Sequence, residues 1–289
     1  NTLSSSISYY KKFVGTPFNM NVTATHSQNT NTQSISMTLP SLQLNMDRIY
    51  PFQGKGGVQK NAFQKIGVNY NMAGSYRINT TDSLFFKPEM FKTAKSGVQH
   101  NADASTSLKI SYFTLSPSVN YKEVWNFDYI NKKYINNEVV NDTIRGFKSF
   151  REYNAGVSLS TSIYGVKNFK KGPIKSLRHT IRPSISYGYR PDFADQYDLQ
   201  VQQSADPTDL LTYSPFENGI YGRPSRGLSN SIGISINNVL EAKVASKDST
   251  SVEDKKITLL NNLNFSTSYN IAADSLRWSP VSVTAGTRL

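Results

Sequence analysis

The segment KIGVNYNMAGSYRIN, residues 65–79, alternates between two kinds of position. The even-numbered positions are apolar apart from one glycine: Ile66, Val68, Tyr70, Met72, Gly74, Tyr76 and Ile78. The odd-numbered positions are all polar or small. Successive side chains of a β-strand point to opposite faces. The pattern therefore predicts a strand with one apolar face and one hydrated face.

Similar alternation recurs in about eleven segments, which predicts an all-β chain folded as a meander. The segments lie near residues 3–11, 17–26, 33–46, 64–79, 97–112, 115–127, 151–164, 177–190, 228–244, 256–271 and 280–288. The parity shifts at Pro40, within the third segment. The expected connections are tight at 112–114, moderate at 166–176 and 245–255, long at 47–62, 80–96 and 128–146, and very long at 191–227.

The length of these segments indicates a membrane. They hold about ten to seventeen residues, whereas strands of globular domains usually hold about five or six. Residues 66–78 would extend about 40 Å, or about 30 Å along the membrane normal at a tilt near 40°. Strands survive in hydrocarbon only in a closed barrel. We therefore expect a transmembrane antiparallel β-barrel, with about eleven strands of a large up-and-down barrel in this chain.

Composition supports strands over helices. Hydrophobic residues make up 37% of the 289 residues, the mean hydropathy is −0.46, and no stretch reaches the roughly eighteen apolar residues of a spanning helix. Aromatic residues, 12% of the chain, gather toward the ends of the segments, as in the interfacial girdles of barrels. Cross-strand pairing in a soluble β protein would explain any single ring equally well.

Catalytic and metal-binding patterns are absent from the sequence. Cysteine is missing, which excludes disulfides and thiolate metal sites. His26, His100 and His179 have no partner at metal-ligand spacing, and no nucleophile elbow or phosphate-binding glycine loop is visible. We expect a protein that is not an enzyme and carries no cofactor or metal.

The formal net charge of +12 points to anionic partners without identifying them. Basic residues are concentrated in 167–182, beside aromatic rings. Four of them are candidate contacts for an anion or a lipid phosphate: Lys170, Lys171, Arg178 and Arg182. The alternative is a solvated turn, and the position of the cluster at a turn and a strand start argues against a nucleic-acid partner.

Two prolines fall within predicted strands. Pro117 lies in LSPSVNY and Pro183 in RHTIRPSISYGYRPDF. Proline has no N–H to donate to the ladder. Both are candidates for weakened strand pairing, either as a bulge that bends the sheet or as part of a gate.

Six segments, in order along the chain, carry a family resemblance: MTLPSLQLNMDRIYPF (37–52), KISYFTLSPSVNYKEVW (109–125), STSIYG (160–165), RHTIRPSISYGYRPDF (178–193), YSPFENGIYGRPSRGLSNSIGISINNVLEAKV (213–244) and LLNNLNFSTSYN (259–270). They resemble the lipopolysaccharide-assembly outer-membrane proteins of the LptD family, in its Bacteroidetes branch. The resemblance implies an outer-membrane translocon that inserts lipopolysaccharide into the outer leaflet.

The resemblance also implies partners: lipopolysaccharide, outer-membrane lipids, an LptE-like plug lipoprotein and a periplasmic bridge that docks on an N-terminal jelly roll. We expect residues 1–289 to be an internal barrel portion, without that jelly roll and without the closing strands. Two alternatives remain. One is another outer-membrane barrel, a porin or a nutrient-uptake receptor, and the other is a soluble glycan-binding β-sandwich.

Overall fold

The computed structural model describes residues 1–244 and 255–287. The prediction of an all-β chain is confirmed, and eleven strands follow one another in a single large antiparallel sheet. In their order of pairing they are β1 Thr2–Lys12, β2 Phe18–Asn29, β3 Ser34–Ile49, β4 Gly67–Thr81, β5 Lys95–Ser105, β7 Phe113–Ile135, β8 Glu138–Thr161, β10 Ile174–Arg190, β13 Ser229–Val244, β14 Lys255–Asn270 and β15 Ser282–Gly286.

Four short strands, two short α-helices and three 3₁₀ turns, Lys55–Gly57, Phe63–Lys65 and Asp82–Leu84, complete the regular elements of the described residues. Strand β6, Leu108–Ile110, pairs with β7, and β9, Ile163–Asn168, pairs with β10. A separate hairpin joins β11, Leu199–Gln202, to β12, Leu210–Tyr213. The helices are α1, Pro88–Lys92, and α2, Ala194–Tyr197. None of the described residues forms a helix with the length and hydrophobicity needed to cross a membrane.

The expected connection at 128–146 is wrong. Strands β7 and β8 continue through it and meet at a tight turn, where Asn136 and Asn137 have φ of 51° and 65°. Asparagine tolerates this left-handed conformation, which two-residue hairpin turns favour. Charged and amide residues occupy both parities of this stretch, so the alternation that revealed the other strands is absent here.

The parity shift at Pro40 is confirmed by the strand pairing. The β3–β4 register shifts between Thr38 and Ser41, and the β2–β3 register shifts between Thr23 and Thr25. The irregularity keeps apolar side chains on one face along the whole of β3, because a one-residue change of register exchanges the faces. The expected connection at 245–255 lies almost entirely outside the described residues.

The chain divides into two units, which we describe separately. The first comprises Asn1–Ala104, Val119–Asn154 and Pro191–Gly227. Its polar face carries a row of asparagines across β2 to β5, in which Asn45 donates to Asn19 at 3.3 Å and Asn101 donates to Asn71 at 2.9 Å. Asn45 lies directly opposite Asn71 in the β3–β4 register, so the row is continuous.

Helix α1 covers one part of the apolar face of the first unit. Met90 on this helix and the nearby Ala94 pack against Ile35, Met37 and Ile78, and all five are buried. Proline at the first position of α1 suits a helix start, where its missing N–H costs nothing. The short helix therefore closes a small core at the β3–β4 end.

The second unit comprises Ser105–Ser118, Ala155–Arg190 and Leu228–Leu289. Directly opposed residues share a face of a sheet, and Pro183, Ile236, Phe265 and Val283 oppose one another in succession across β10, β13, β14 and β15. This row is apolar, and Val283 is 55% exposed while Ile236 is 41% exposed. The apolar face of this unit is therefore open to its surroundings.

Candidate functional site

The polar face of the second unit is a grid of hydroxyl and amide groups. In one row, serines oppose one another across five strands: Ser160, Ser184, Ser235, Ser266 and Ser282. The Oγ atoms of Ser184 and Ser235 lie 3.2 Å apart. In the next row Arg182, Asn237, Asn264 and Thr284 oppose one another in the same way. These two rows offer many hydrogen-bonding groups, with Arg182 as the cation among them.

A cavity of about 540 Å³ lies at this face, where the β6–β7 turn approaches β8, β9, β10 and β13. Its charged and aromatic walls come from Lys109, Arg182, Tyr112 and Tyr164. Hydroxyl and amide groups of Ser160, Ser184, Ser235 and Asn237 complete the polar lining. Lysine, arginine and hydroxyl groups donate hydrogen bonds to phosphate oxygens, so the cavity has the chemistry of an anion or phosphorylated-sugar site.

Strand pairing is interrupted beside this cavity. On one side Ser184 pairs with Ser160 of β8, and on the other Ile181 pairs with Ile163 of β9. Arg182 and Pro183 lie between these two pairs, and in the described residues neither of them pairs with β8 or β9. On the other side of β10, both pair with β13. Proline has no N–H to donate. The register continues unchanged across the gap.

The other candidate proline lies opposite a second interruption. Pro117 is within β7, and its carbonyl accepts the N–H of Thr106 at 3.2 Å. Thr106 falls between the end of β5 and the start of β6. Each proline therefore faces the point at which a neighbouring strand is broken into two.

A smaller apolar cavity of about 230 Å³ lies on the opposite face of the sheet at the same place. Its aliphatic walls are Leu159, Ile185, Ile234 and Ile236, which share the apolar face. Phe113, Thr161 and Pro183 line this cavity and also the polar one. The interruption at Pro183 is thus bordered by a polar site on one face and an apolar site on the other.

The four basic candidates occupy different places. Arg182 lines the polar cavity, and Arg178 lies on the same face of β10, about 13 Å along the strand at 3.3 Å per residue. The Arg178 guanidinium is 4.9 Å from the centroid of the Tyr164 ring and 4.0 Å from Glu241. Lys170 and Lys171 lie in the exposed connection between β9 and β10. The structure does not bring these lysines into the cavity.

Several residues of the cavity were not predicted. Lys109, Tyr112 and Asn237 have no special spacing in the sequence, and only the fold brings them to Arg182. Tyr164 is one of the aromatic rings beside the basic residues of 167–182, and the sequence did not identify it as a site residue. Lys109 stands among serines at 105, 107 and 111, but this local pattern does not connect it to Arg182.

In the first unit, the 191–227 segment folds over β7 and β8 rather than forming an open loop. Phe216 packs against Val124 and Phe150, and all three are fully buried or nearly so. Glu152 accepts the N–H of Ser225 and forms an ion pair with Lys122 at 3.2 Å. Lys132 pairs with Glu217 at 2.8 Å. The segment is therefore packed on β7 and β8 and has a small buried core of its own.

Metal-ligating side chains do not gather in the part of the chain that the structure describes. Among residues 1–244 and 255–287, no three His, Asp or Glu side chains approach one another closely enough to hold a metal ion. His100 Nδ1 instead shares a hydrogen bond with the Tyr70 hydroxyl at 2.7 Å. His179 Nε2 donates a hydrogen bond to the amide oxygen of Asn238 at 3.1 Å.

Comparison with known proteins gives a family match over the whole chain and a structural alignment with an outer membrane transporter. The family model described as LptD protein matches residues 1–289. No curated protein matches the chain in sequence. A structural alignment with the outer membrane transporter YddB from Escherichia coli has 9% identity and a TM-score of 0.29, and covers 98% of this chain and 35% of that chain. The chain thus spans about a third of the length of that transporter.

Proposed function

Because the chain belongs to the LptD protein family over residues 1–289, we propose that it is part of an outer-membrane barrel that inserts lipopolysaccharide into the outer leaflet. The family match along the whole chain is the observation that carries this proposal. The long two-faced strands support it, because the substrate combines a hydrated saccharide with a set of acyl chains. A wall with one polar and one apolar face suits both parts.

The apolar face supports a position in the membrane. Ile7 of β1 is 74% exposed, and the row through Ile236 and Val283 is exposed as well. Contiguous apolar surface is rare on soluble monomers because its hydration is unfavourable. A soluble β-sandwich would instead bury such a row between two sheets, and the described strands place it on the open face of one large sheet.

The polar face supports a path for saccharide. In the second unit the serine row and Asn237 offer uncharged donors and acceptors at neighbouring strand positions. Adjacent strands lie about 4.8 Å apart, so a sugar can exchange one set of hydrogen bonds for the next without meeting a fixed strong site. Arg182 and Lys109 add positive charge for phosphate groups.

The proposed partners are those of such a translocon. Lipopolysaccharide and outer-membrane lipids would contact the two faces, an LptE-like lipoprotein would occupy the lumen, and a periplasmic bridge would deliver the substrate through a jelly roll outside this chain. The bacterial outer membrane is the proposed location. A porin or a nutrient-uptake receptor would share the strand pattern and would not transport lipopolysaccharide.

Depletion of the full-length protein tests the function. We expect newly made lipopolysaccharide to be lost from the cell surface, as measured by labelling the surface of intact cells. The amount of other outer-membrane barrels should stay normal at early times. Expression of the wild-type gene should restore surface display. Unchanged surface lipopolysaccharide after depletion would refute the function and leave the description of the sheet intact.

A further inference from the structure

We propose that residues 84–92, in the connection between β4 and β5, form an interfacial anchor that inserts aromatic side chains into the lipid beside the sheet. The occupant of this surface is the headgroup and upper acyl region of the surrounding leaflet. The inference rests on the proposed function only in that both place the apolar face of the sheet in a membrane.

The anchor is attached to the apolar face of the first unit. Met90 and Ala94 pack against Met37 and Ile78, and Phe85 packs against the same cluster. Ile78 belongs to the apolar parity of β4, which we place in lipid. The connection therefore folds back over the side of the strands that faces the membrane.

The same segment turns other apolar side chains away from this core. Phe86 is 80% exposed, and Leu84 and Phe91 are exposed as well. Exposed apolar side chains are unfavourable in water, and a patch of them marks a contact with a partner or a membrane. Because this patch borders an apolar face that is itself open, lipid is the occupant that covers both.

Phe86 has a backbone conformation that aromatic residues rarely adopt. The Lys87 N–H donates to the Leu84 carbonyl at 2.9 Å, which closes a β-turn with Phe85 and Phe86 at its centre. Phe85 has φ of −59° and ψ of 130°, and Phe86 has φ of 61°. These angles match a type II turn, whose third residue is usually glycine or asparagine. A bulky side chain at this position is strained.

The strained turn separates two adjacent rings. Phe85 packs on the core and Phe86 is exposed, although the ring centroids lie only 4.2 Å apart. Glycine at position 86 would relieve the backbone but would leave no ring outside the core. A turn that accepts strain in order to display an aromatic side chain points to a contact made by that side chain.

Polar side chains surround the apolar patch in the way expected at a membrane surface. Lys87 precedes α1 and Lys92 ends it, and both are exposed. Lysine covers apolar surface with its methylene groups while its ammonium group interacts with lipid phosphates. Residues 84–92 contain two lysines and one glutamate, Glu89, so their net charge is only +1. Insertion therefore depends mainly on the rings.

Quenching by brominated lipid tests the anchor in the full-length protein in lipid nanodiscs. Residues 1–289 contain no cysteine, so Phe86→Cys adds one site for a bimane label once any cysteine elsewhere is replaced by serine. Phosphatidylcholine with bromine near the carboxyl end of its acyl chains should quench this label about twofold or more strongly than a label at Glu89→Cys, an exposed polar position of the same segment.

Two further positions calibrate the quenching. Tyr112→Cys replaces a ring that is as exposed as Phe86 but lines the polar cavity, so its label should show weak quenching. Ile234→Cys lies on the open apolar face of β13 and should show strong quenching. Quenching at position 86 that is no stronger than at positions 89 and 112 would overturn the proposal.

The turn allows a second test, which separates the ring from the fold. With the label at Phe91→Cys, the added change Phe86→Asn suits the turn and removes the ring. Quenching at position 91 should fall about twofold or more, while the Lys87 amide exchanges with deuterium no faster than in the wild type. Phe86→Leu keeps an apolar side chain and should retain the quenching. Unchanged quenching in Phe86→Asn, or faster exchange at Lys87, would contradict the proposal.

A protein partner at this surface would give a different result. Protection of Phe86→Cys from a water-soluble maleimide in cells, together with weak quenching in nanodiscs, would assign the ring to a protein and overturn the lipid contact. Failure of the anchor and failure of the proposed function remain distinct. Strong quenching at position 86 with normal surface lipopolysaccharide after depletion would refute only the function, and the reverse pair of results would refute only the anchor.

Discussion

Pro183 has one paired edge and one open edge. Replacement by isoleucine, the residue at positions 181 and 185 of the same face, restores the missing N–H. We expect the amides of 161–163 to exchange with deuterium about threefold to tenfold more slowly, since one added hydrogen bond stabilises by about 0.5–1.5 kcal/mol. Hydrogen-exchange mass spectrometry measures this directly. Pro173→Ile, in the exposed β9–β10 connection, should change nothing at 161–163.

Among the ion-paired residues Lys122, Lys132, Glu152 and Glu217 around the 191–227 segment, Glu152 has the most deeply buried side chain. Its side chain is 8% exposed, and it accepts from both Lys122 and the Ser225 N–H. Glu152→Ala leaves these donors without their acceptor, which costs about 1–3 kcal/mol. Limited proteolysis should then cut 191–227 at least several times faster.

An exposed ion pair provides the matched control for that change. Asp142 and Lys133 lie 3.6 Å apart, and both side chains are 54% exposed. Asp142→Ala should cost about 0–1 kcal/mol, because water screens surface pairs. Equal proteolytic sensitivity in Glu152→Ala and Asp142→Ala would show that the buried carboxylate does not hold the segment.

At the scale of single residues, the sequence supported part of the site. Proline chemistry identified Pro117 and Pro183 as unusual positions, and charge identified Arg182. Lys109 and Asn237 could not be found, because their proximity depends on which strands become neighbours. Pairing between distant segments is set by the fold and leaves no local pattern.

Among the elements, the 191–227 segment has a core that a single change should disrupt. Phe216 is 1% exposed and packs on Phe150 with ring centroids 4.9 Å apart. Phe216→Ala should destabilise the packing of the segment by about 3–5 kcal/mol. We expect hydrogen exchange throughout 191–227 to rise strongly, while β13 and β14 keep their protection. Phe63→Ala removes a ring that is 73% exposed and should leave 191–227 unchanged.

The β11–β12 turn should be sensitive to acid. The Thr208 N–H and hydroxyl donate to Asp206 and lower the pKa of its carboxyl, and a hydrogen bond from Gln203 lowers the pKa of Asp209. A carboxyl whose pKa is lower in the folded than in the unfolded protein stabilises the fold at pH values above its unfolded pKa. This stabilisation is lost as the pH falls through the pKa of the folded protein.

Acidification from pH 6 to pH 3 should therefore loosen residues 203–209. Hydrogen exchange corrected for the intrinsic rate at each pH would report it as a loss of protection. Asp206→Asn with Asp209→Asn keeps acceptor oxygens and removes the titration, so the pH dependence should be absent. A pH dependence that persists in this double variant would assign it to other groups.

The accuracy of sequence interpretation differed between elements for a physical reason. Strands with one apolar parity, such as β4 and β10, were identified close to their observed limits. The turn at Asn136–Asn137 was missed because polar residues occupy both faces of the β7–β8 hairpin there. The 191–227 segment was expected as a connection, but its aromatic core around Phe216 follows neither a strand nor a helix period.

For the molecule as a whole, alternation along the chain and the family match lead to the same architecture. The eleven strands of the sheet follow in chain order apart from the short elements, as a meander requires. Each described unit has one polar and one apolar face, as the asparagine row of the first unit and the serine row of the second show. The proposed membrane function depends on those faces meeting different solvents.

Cysteine accessibility in outer membranes tests that dependence most directly. The wild-type chain has no cysteine, so Ser235→Cys and Ile234→Cys place single thiols on neighbouring residues of β13 with opposite faces. A water-soluble maleimide should label position 235 and leave position 234 nearly unlabelled until detergent is added. Rapid labelling at position 234, or protection at 235 with exposure at 234, would contradict an apolar face in lipid and a polar face in water.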